Sequence, residues 1–136
     1  MTLKVKSKRK NGFTDYELYT NNRKIGSARV HFREKGKQVK QEVTFKKDGK
    51  WVDRTYAYPL FSKTAEMPDI SIDKKYRGKG YGRKFLKEIE GDARKRGMKT
   101  FAAAETKNIS FFEHMGYQHR FYSAGSGIYQ KRLKKK

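Results

Sequence analysis

Pro68-Asp69-Ile70-Ser71-Ile72-Asp73-Lys74-Lys75-Tyr76-Arg77-Gly78-Lys79-Gly80-Tyr81-Gly82-Arg83-Lys84-Phe85-Leu86 passes from one periodicity to another within a few residues. Pro68, Ile70 and Ile72 alternate, the mark of a strand. Glycines at 78, 80 and 82 interrupt that pattern, and from there Tyr81, Phe85, Leu86, Ile89 and Ala93 recur at helical spacing until Gly97 stops the helix. A strand, a glycine loop and a helix start, in that order, form a cradle for a phosphate group. The glycines let backbone approach a ligand and present N–H donors, and the helix adds the positive end of its dipole. Lys74, Lys75, Arg77, Lys79, Arg83 and Lys84 contribute charge of the same sense.

Spacing narrows the choice of ligand. In the dinucleotide pattern G-x-G-x-x-G the third glycine falls on Arg83, and the G-x-x-x-x-G-K-[ST] loop is absent. What the stretch follows is [Q/R]-x-x-G-x-[G/A] directly after a strand, with Arg77, Gly80 and Gly82 at the fixed places. It resembles motif A of the GNAT superfamily of N-acetyltransferases. Further on, Glu105-Thr106-Lys107-Asn108-Ile109-Ser110-Phe111-Phe112-Glu113-His114-Met115-Gly116-Tyr117 resembles the second signature of that family, N-x-x-A-x-x-F-Y-x-x-x-G-F. The resemblance extends over roughly Met67 to Leu133.

It implies an α+β fold: a mixed, mostly antiparallel central sheet with two main helices. It also implies an acetyl-CoA-dependent N-acetyltransferase in which an amine attacks the thioester directly in a ternary complex. By the resemblance, the pyrophosphate is held by Arg77, Gly78, Lys79, Gly80, Tyr81, Gly82 and Arg83, and the main chain of Ile70, Ser71 and Ile72 faces the pantetheine and thioester. Asn108, shifted from the usual asparagine position now occupied by Glu105, and Phe112 complete the expected cofactor contacts. Phe112 stands where relatives commonly carry the tyrosine that protonates the departing thiolate, so Tyr117, Tyr122 or His114 are the nearby substitutes. Counting back from Arg77, Glu66 falls at the place of the glutamate base used by some relatives, with Asp69 as its neighbour.

The 136 residues form a single expected domain, residues 1–66 strand-rich and residues 67–133 binding acetyl-CoA. Lys and Arg number 35 against 14 acids, a net charge of +21. No apolar run has transmembrane length and no secretory segment opens the chain, so a soluble, cytoplasmic protein is expected. With no cysteine, the acetyl group cannot pass through a thiolate nucleophile. His31, His114 and His119 show no metal spacing, and no metal is expected. Polyanionic CoA accounts for part of the positive charge. Basic runs at both ends, Lys4 to Lys10 and Lys131 to Lys136, admit an acidic or nucleic-acid partner, with nucleic-acid binding expected to be weak because no motif for it accompanies them. The alternative reading is a basic nucleic-acid-associated or acyl-CoA-sensing protein on the same fold with little catalysis.

The first half reads as strands over Thr2–Lys8, Phe13–Thr20, Lys24–Glu34, Gln38–Lys46 and Trp51–Tyr58, with turns at Asn21-Asn22 and Asp48-Gly49 and a connector over Leu60–Glu66. Later elements are a strand at Thr100–Ala104, a helix at Ile109–Met115 capped by Asn108 and Gly116, and a hairpin of Tyr117–Ser123 with Ile128–Leu133. Gly91 inside the first helix is unfavourable. The family walls its acceptor side with helices between the first two strands, but Asn11 to Lys24 is too short and too β-like to hold them. The expected fold therefore lacks the usual N-terminal helices, leaving the acceptor side open in a monomer or completed in a homodimer.

Overall fold

A computed structural model of the chain describes residues 2–60, 62–103, 109–121 and 127–133. Three strands open it, β1 (Leu3–Lys10), β2 (Phe13–Thr20) and β3 (Arg23–Arg33), joined by two-residue turns. Asn21 and Asn22 both sit at positive φ, 50° and 63°, the conformation a twisted two-residue hairpin demands and asparagine tolerates. A long hairpin follows, β4 (Lys37–Lys47) and β5 (Lys50–Leu60), turning at Asp48-Gly49 with φ of 52° and 77°. Then come β6 (Thr64–Ile72), helix α1 (Tyr81–Lys95), β7 (Thr100–Ala103), helix α2 (Ile109–His114), β8 (Gln118–Phe121) and β9 (Gly127–Arg132).

Seven strands form one sheet in the order β1-β2-β3-β6-β7-β9-β8, and β4-β5 form a separate two-stranded sheet. Only β6 and β7 are parallel; the other pairs run antiparallel. The expected connector over Leu60–Glu66 is a correction: β6 begins at Thr64. Thr64, Ala65, Glu66 and Met67 are all buried, so this stretch shows none of the in-out alternation that announces a half-exposed strand. Next to it the β3 ladder jumps, pairing His31 with Glu66 but Arg29 with Asp69. Pro68, which has no N–H to give, sits in this bulge.

Helix α1 lays Tyr81, Phe85, Leu86, Ile89 and Ala93 on the sheet, and Phe85, Leu86 and Ile89 each contribute about 1.5–3 kcal/mol by leaving water. It ends as the sequence indicates. Gly97 takes φ 82°, its N–H donates to the Arg94 carbonyl at 3.0 Å, and Met98 N–H donates to the Ala93 carbonyl at 3.0 Å, closing the helix with a left-handed glycine. Polar contacts with β2 help hold α1 and its C-cap: the Tyr16 hydroxyl donates to Asp92, and Arg96 donates to the Thr14 hydroxyl at 3.1 Å.

Candidate active site

Strand β6 builds the site because it outruns its parallel neighbour. The β6–β7 pairing stops at Met67 opposite Ala103, while β6 continues to Ile72 along β3 alone. From Pro68 onward the β7-side edge of β6 has no strand partner among the described residues, and its backbone groups face a cleft. The chain then turns through a short 3-10 segment, Lys74–Tyr76, anchored by the Asp73 N–H on the Ile25 carbonyl at 2.7 Å. Arg77 Nε donates back to the Ile72 carbonyl at 2.8 Å, which holds the loop against the strand end.

Gly78 and Gly80 take φ of 75° and 80°, and a Cβ built on either meets nothing within 4 Å. The space above them is open. Gly80 is the N-cap of α1 and has no side chain to satisfy the first turn, whose first bond is Lys84 N–H to the Gly80 carbonyl at 3.2 Å. No acid lies in that turn, although acids are what a helix start ordinarily gathers. Uncapped donors, a dipole end and clustered cations suit a doubly charged diphosphate.

The cleft holds about 650 Å³, bordered by Asp69, Ile70, Ser71, Ile72, Tyr76, Arg77, Gly78, Gly80, Gly82, Arg83 and Phe111. Most residues expected to contact the cofactor are brought together here. Lys79 lies in the same loop without lining it, its ammonium 6.0 Å from the centre of the Tyr76 ring. Tyr81 is buried under the helix, 6.2 Å ring to ring from Tyr76. Phe112 is fully buried, stacked on Tyr129 at 5.9 Å and edge-on to Tyr117 at 5.4 Å; its neighbour Phe111 reaches the cleft instead, close to Gly82. Asn108 and Tyr122 lie outside the described residues. Tyr76 and Phe111 escaped the sequence reading. The signal for Phe111 was its place in a helix whose buried face is set by Phe112 and Met115.

Tyr117 is turned away from the cleft. Gly116 at φ 88° reverses the chain, with Tyr117 N–H on the Phe112 carbonyl at 3.0 Å and Gly116 N–H on the Glu113 carbonyl at 3.1 Å, so the Tyr117 ring folds back over α2. Its hydroxyl donates to Glu90 Oε2 at 2.6 Å. Burial, reinforced by the Glu90 charge, pushes that phenol well above the ordinary tyrosine range. Glu90 is itself buried in α1 and paired with Lys131 Nζ at 3.2 Å, which also donates to the Met115 carbonyl at 2.9 Å. This network ties α1, α2 and β9 together. The proton-donor role expected of Tyr117 therefore has no geometry toward the cleft.

Glu66 is 8% exposed, with Oε1 3.6 Å from Arg33 and Oε2 buried without a hydrogen-bond partner. It does not line the cleft. Asp69 does, and it also borders a second hollow of about 480 Å³ on the other face of the sheet, with Asp15, Glu17, Lys24, Ser27, Arg29 and Pro68. In that hollow the Arg29 hydrogen bond holds the Asp15 carboxyl below its usual range, and the Lys24 hydrogen bond does the same for Glu17. No group of side chains able to hold a metal ion occurs among the described residues.

The acetyltransferase (GNAT) family profile matches residues 7–117. No curated protein matches the chain in sequence. Solved structures with the same fold include the PaiA N-acetyltransferase of Thermoplasma acidophilum in complex with coenzyme A, at 15% identity over 89% of this chain and 61% of that one, TM-score 0.61. The ribosomal-protein-S18-alanine N-acetyltransferase of Escherichia coli aligns at 15% identity over 94% and 74%, TM-score 0.60. An acetyltransferase of the GNAT family from Staphylococcus aureus Mu50 aligns at 15% over 90% and 69%, TM-score 0.59. At these identities the structural likeness concerns the fold. The cradle, the parted parallel strands and the family match together define the class: an N-acetyltransferase that uses acetyl-CoA as cosubstrate. The chain belongs to the acetyltransferase (GNAT) family.

No helix among the described residues is long and apolar enough to cross a membrane.

Proposed function

We propose that the chain, acting as a single acetyltransferase domain in the cytoplasm, acetylates an amine that enters from the face of the sheet opposite α1. The observation that supports this is Asp69, which borders both the cleft and the hollow on that opposite face. The Gly78–Arg83 loop would hold the diphosphate, and the unpaired edge of Ile70–Ile72 would hydrogen-bond the pantetheine and orient the thioester. The amine nitrogen attacks the thioester carbon, a C–N bond forms, the C–S bond breaks and the thiolate departs. Asp69 accepts the proton the amine loses. Glu66, ion-paired with Arg33 and off the cleft, serves the sheet rather than the reaction.

Phe112 has no proton to give, and Tyr117 spends its own on Glu90. A thiol of ordinary acidity titrates near pH 8.5, so the thiolate leaves without a proton from either of these two residues and is protonated by solvent. An acceptor face without N-terminal helices suits an amine carried on a larger partner better than a small free one, and a monomer suffices for it. The terminal lysine runs add a weak, salt-sensitive attraction for nucleic acid.

Thiol release from acetyl-CoA, followed with peptides bearing a free N-terminus or an internal lysine, tests this reading. Asp69→Asn lowers kcat/KM by about 100-fold or more, with the greatest loss at low pH, where the amine still holds its proton. A variant that retained the parental pH profile would remove Asp69 from the mechanism.

A further inference from the structure

The β4–β5 hairpin is the largest feature that acetyl transfer does not use. Its strands are 11 residues each, about 36 Å at ~3.3 Å per residue, and among the described residues they pair only with one another. The arm leaves the main sheet after Arg33 and returns at Thr64, which face each other in the β3–β6 ladder. At its tip stands the only tryptophan of the chain, Trp51, 69% exposed. Lys46 lies directly across from it, its ammonium 5.4 Å from the ring centre.

One step nearer the turn, Lys47 and Lys50 oppose each other. Like charges in register destabilise a hairpin, and among the described residues no carboxylate lies within ion-pair distance of Lys46, Lys47 or Lys50. Asp48, in the turn itself, forms no ion pair among the described residues, and Asp53, farther from the tip, accepts a hydrogen bond from Thr44 at 2.7 Å. The tip thus presents one exposed aromatic ring among three cations that form no ion pair, with the single acid Asp48 in the turn. A lipid anchor or a protein-binding hot spot needs apolar company around the ring. Phe45 and Val52 are half-buried and belong to the other side of the ribbon, so that company is missing. A ring face with flanking cations matches a nucleobase between its phosphates.

We infer that the tip of the β4–β5 hairpin binds single-stranded nucleic acid, with a base stacked on Trp51 and the flanking phosphates neutralised by Lys46, Lys47 and Lys50. The inference holds whatever amine the active site accepts. Because the arm returns on β6, the strand that also carries Asp69, nucleic-acid binding and acetyl transfer share one structural element.

Trp51 emission reports on the tip alone, since the chain has no other indole. Titration at low salt with an oligouridylate of roughly 16 nucleotides, the upper range for one small domain, quenches it to saturation. By anisotropy of the labelled oligonucleotide, Trp51→Ala weakens binding about tenfold, the loss of one stacked base. Changing the three lysines to alanine lowers the slope of log affinity against log salt by about 2, for three single-strand phosphate contacts. Removing the residues after Leu133 leaves the quenching intact, and calorimetry with acetyl-CoA gives parental affinity for every variant, showing that the fold is kept. Absence of quenching overturns the inference. So does parental oligonucleotide affinity in the hairpin variants, which would place binding on the terminal lysines. A larger emission change with anionic phosphatidylserine vesicles than with oligonucleotide overturns it in favour of a lipid surface.

Discussion

At the scale of single residues, the site rests on backbone conformation more than on side-chain chemistry. Gly80 holds a left-handed conformation under open space at an uncapped helix start, so Gly80→Asp strains the backbone and sets a carboxylate where we propose the diphosphate to lie. Acetyl-CoA affinity falls by about 100-fold or more, on the order of 3 kcal/mol, measured by titration calorimetry. Tyr117 shows the opposite case, a side chain whose value is structural. Removing its hydroxyl leaves the buried Glu90 one hydrogen bond short, so Tyr117→Phe costs about 1–2 kcal/mol at neutral pH and leaves turnover unchanged. The folded state holds this phenol protonated well above the ordinary value near 10. Its stabilisation is complete below pH ~10 and is lost as pH climbs beyond that, because the unfolded tyrosine ionises first. Tyr16, raised by burial and then by Asp92, adds a loss of the same sign. Denaturant midpoints taken between neutral and strongly alkaline pH fall less steeply in Tyr117→Phe than in the parent.

At the scale of elements, what the sequence made legible was periodic or conformational. The glycine loop, the α1 stripe from Tyr81 to Ala93, the turns at Asn21-Asn22 and Asp48-Gly49, and the helix stops at Gly97 and Gly116 were all readable because each has a local cause. The start of β6 was not, since Thr64 to Met67 are covered on both faces and carry no alternation. Nor could spacing tell that the Gly116 reversal would swing Tyr117 onto Glu90, because that outcome depends on where α1 lies relative to α2. Phe111 and Phe112 are adjacent on a six-residue helix, and only packing decides which of them meets the cleft. Gly91 gains half an explanation: a Cβ there meets nothing within 4 Å, so no close packing requires glycine. Gly91→Ala stabilises the protein by about 0.5–1 kcal/mol through helix propensity, read as a higher midpoint in thermal unfolding with unchanged activity.

At the scale of the whole molecule, the excess of cations is distributed with purpose. On the face of the sheet opposite α1, Asp15 is engaged by Arg29 and Lys10 and Glu17 by Lys24, whereas among the described residues the cations of the cradle and of the hairpin tip form no ion pair. The two-residue turn between β1 and β2, which takes the place of walling helices, has a bearing on how the molecule assembles. Residues 3–33 become a meander of successive antiparallel neighbours, all of whose pairings are close in sequence. Strand β6, by contrast, must find β3 across the whole hairpin, and β7 can dock only after α1 has crossed over. Short-range contacts close at lower entropic cost and form early. Stopped-flow measurements then find Leu18→Ala slowing refolding and Phe112→Ala chiefly accelerating unfolding, a pattern reversed if the second half nucleates. During synthesis from the N-terminus, the platform proposed to receive the amine is laid down first, and the cleft at the end of β6 condenses onto it afterwards.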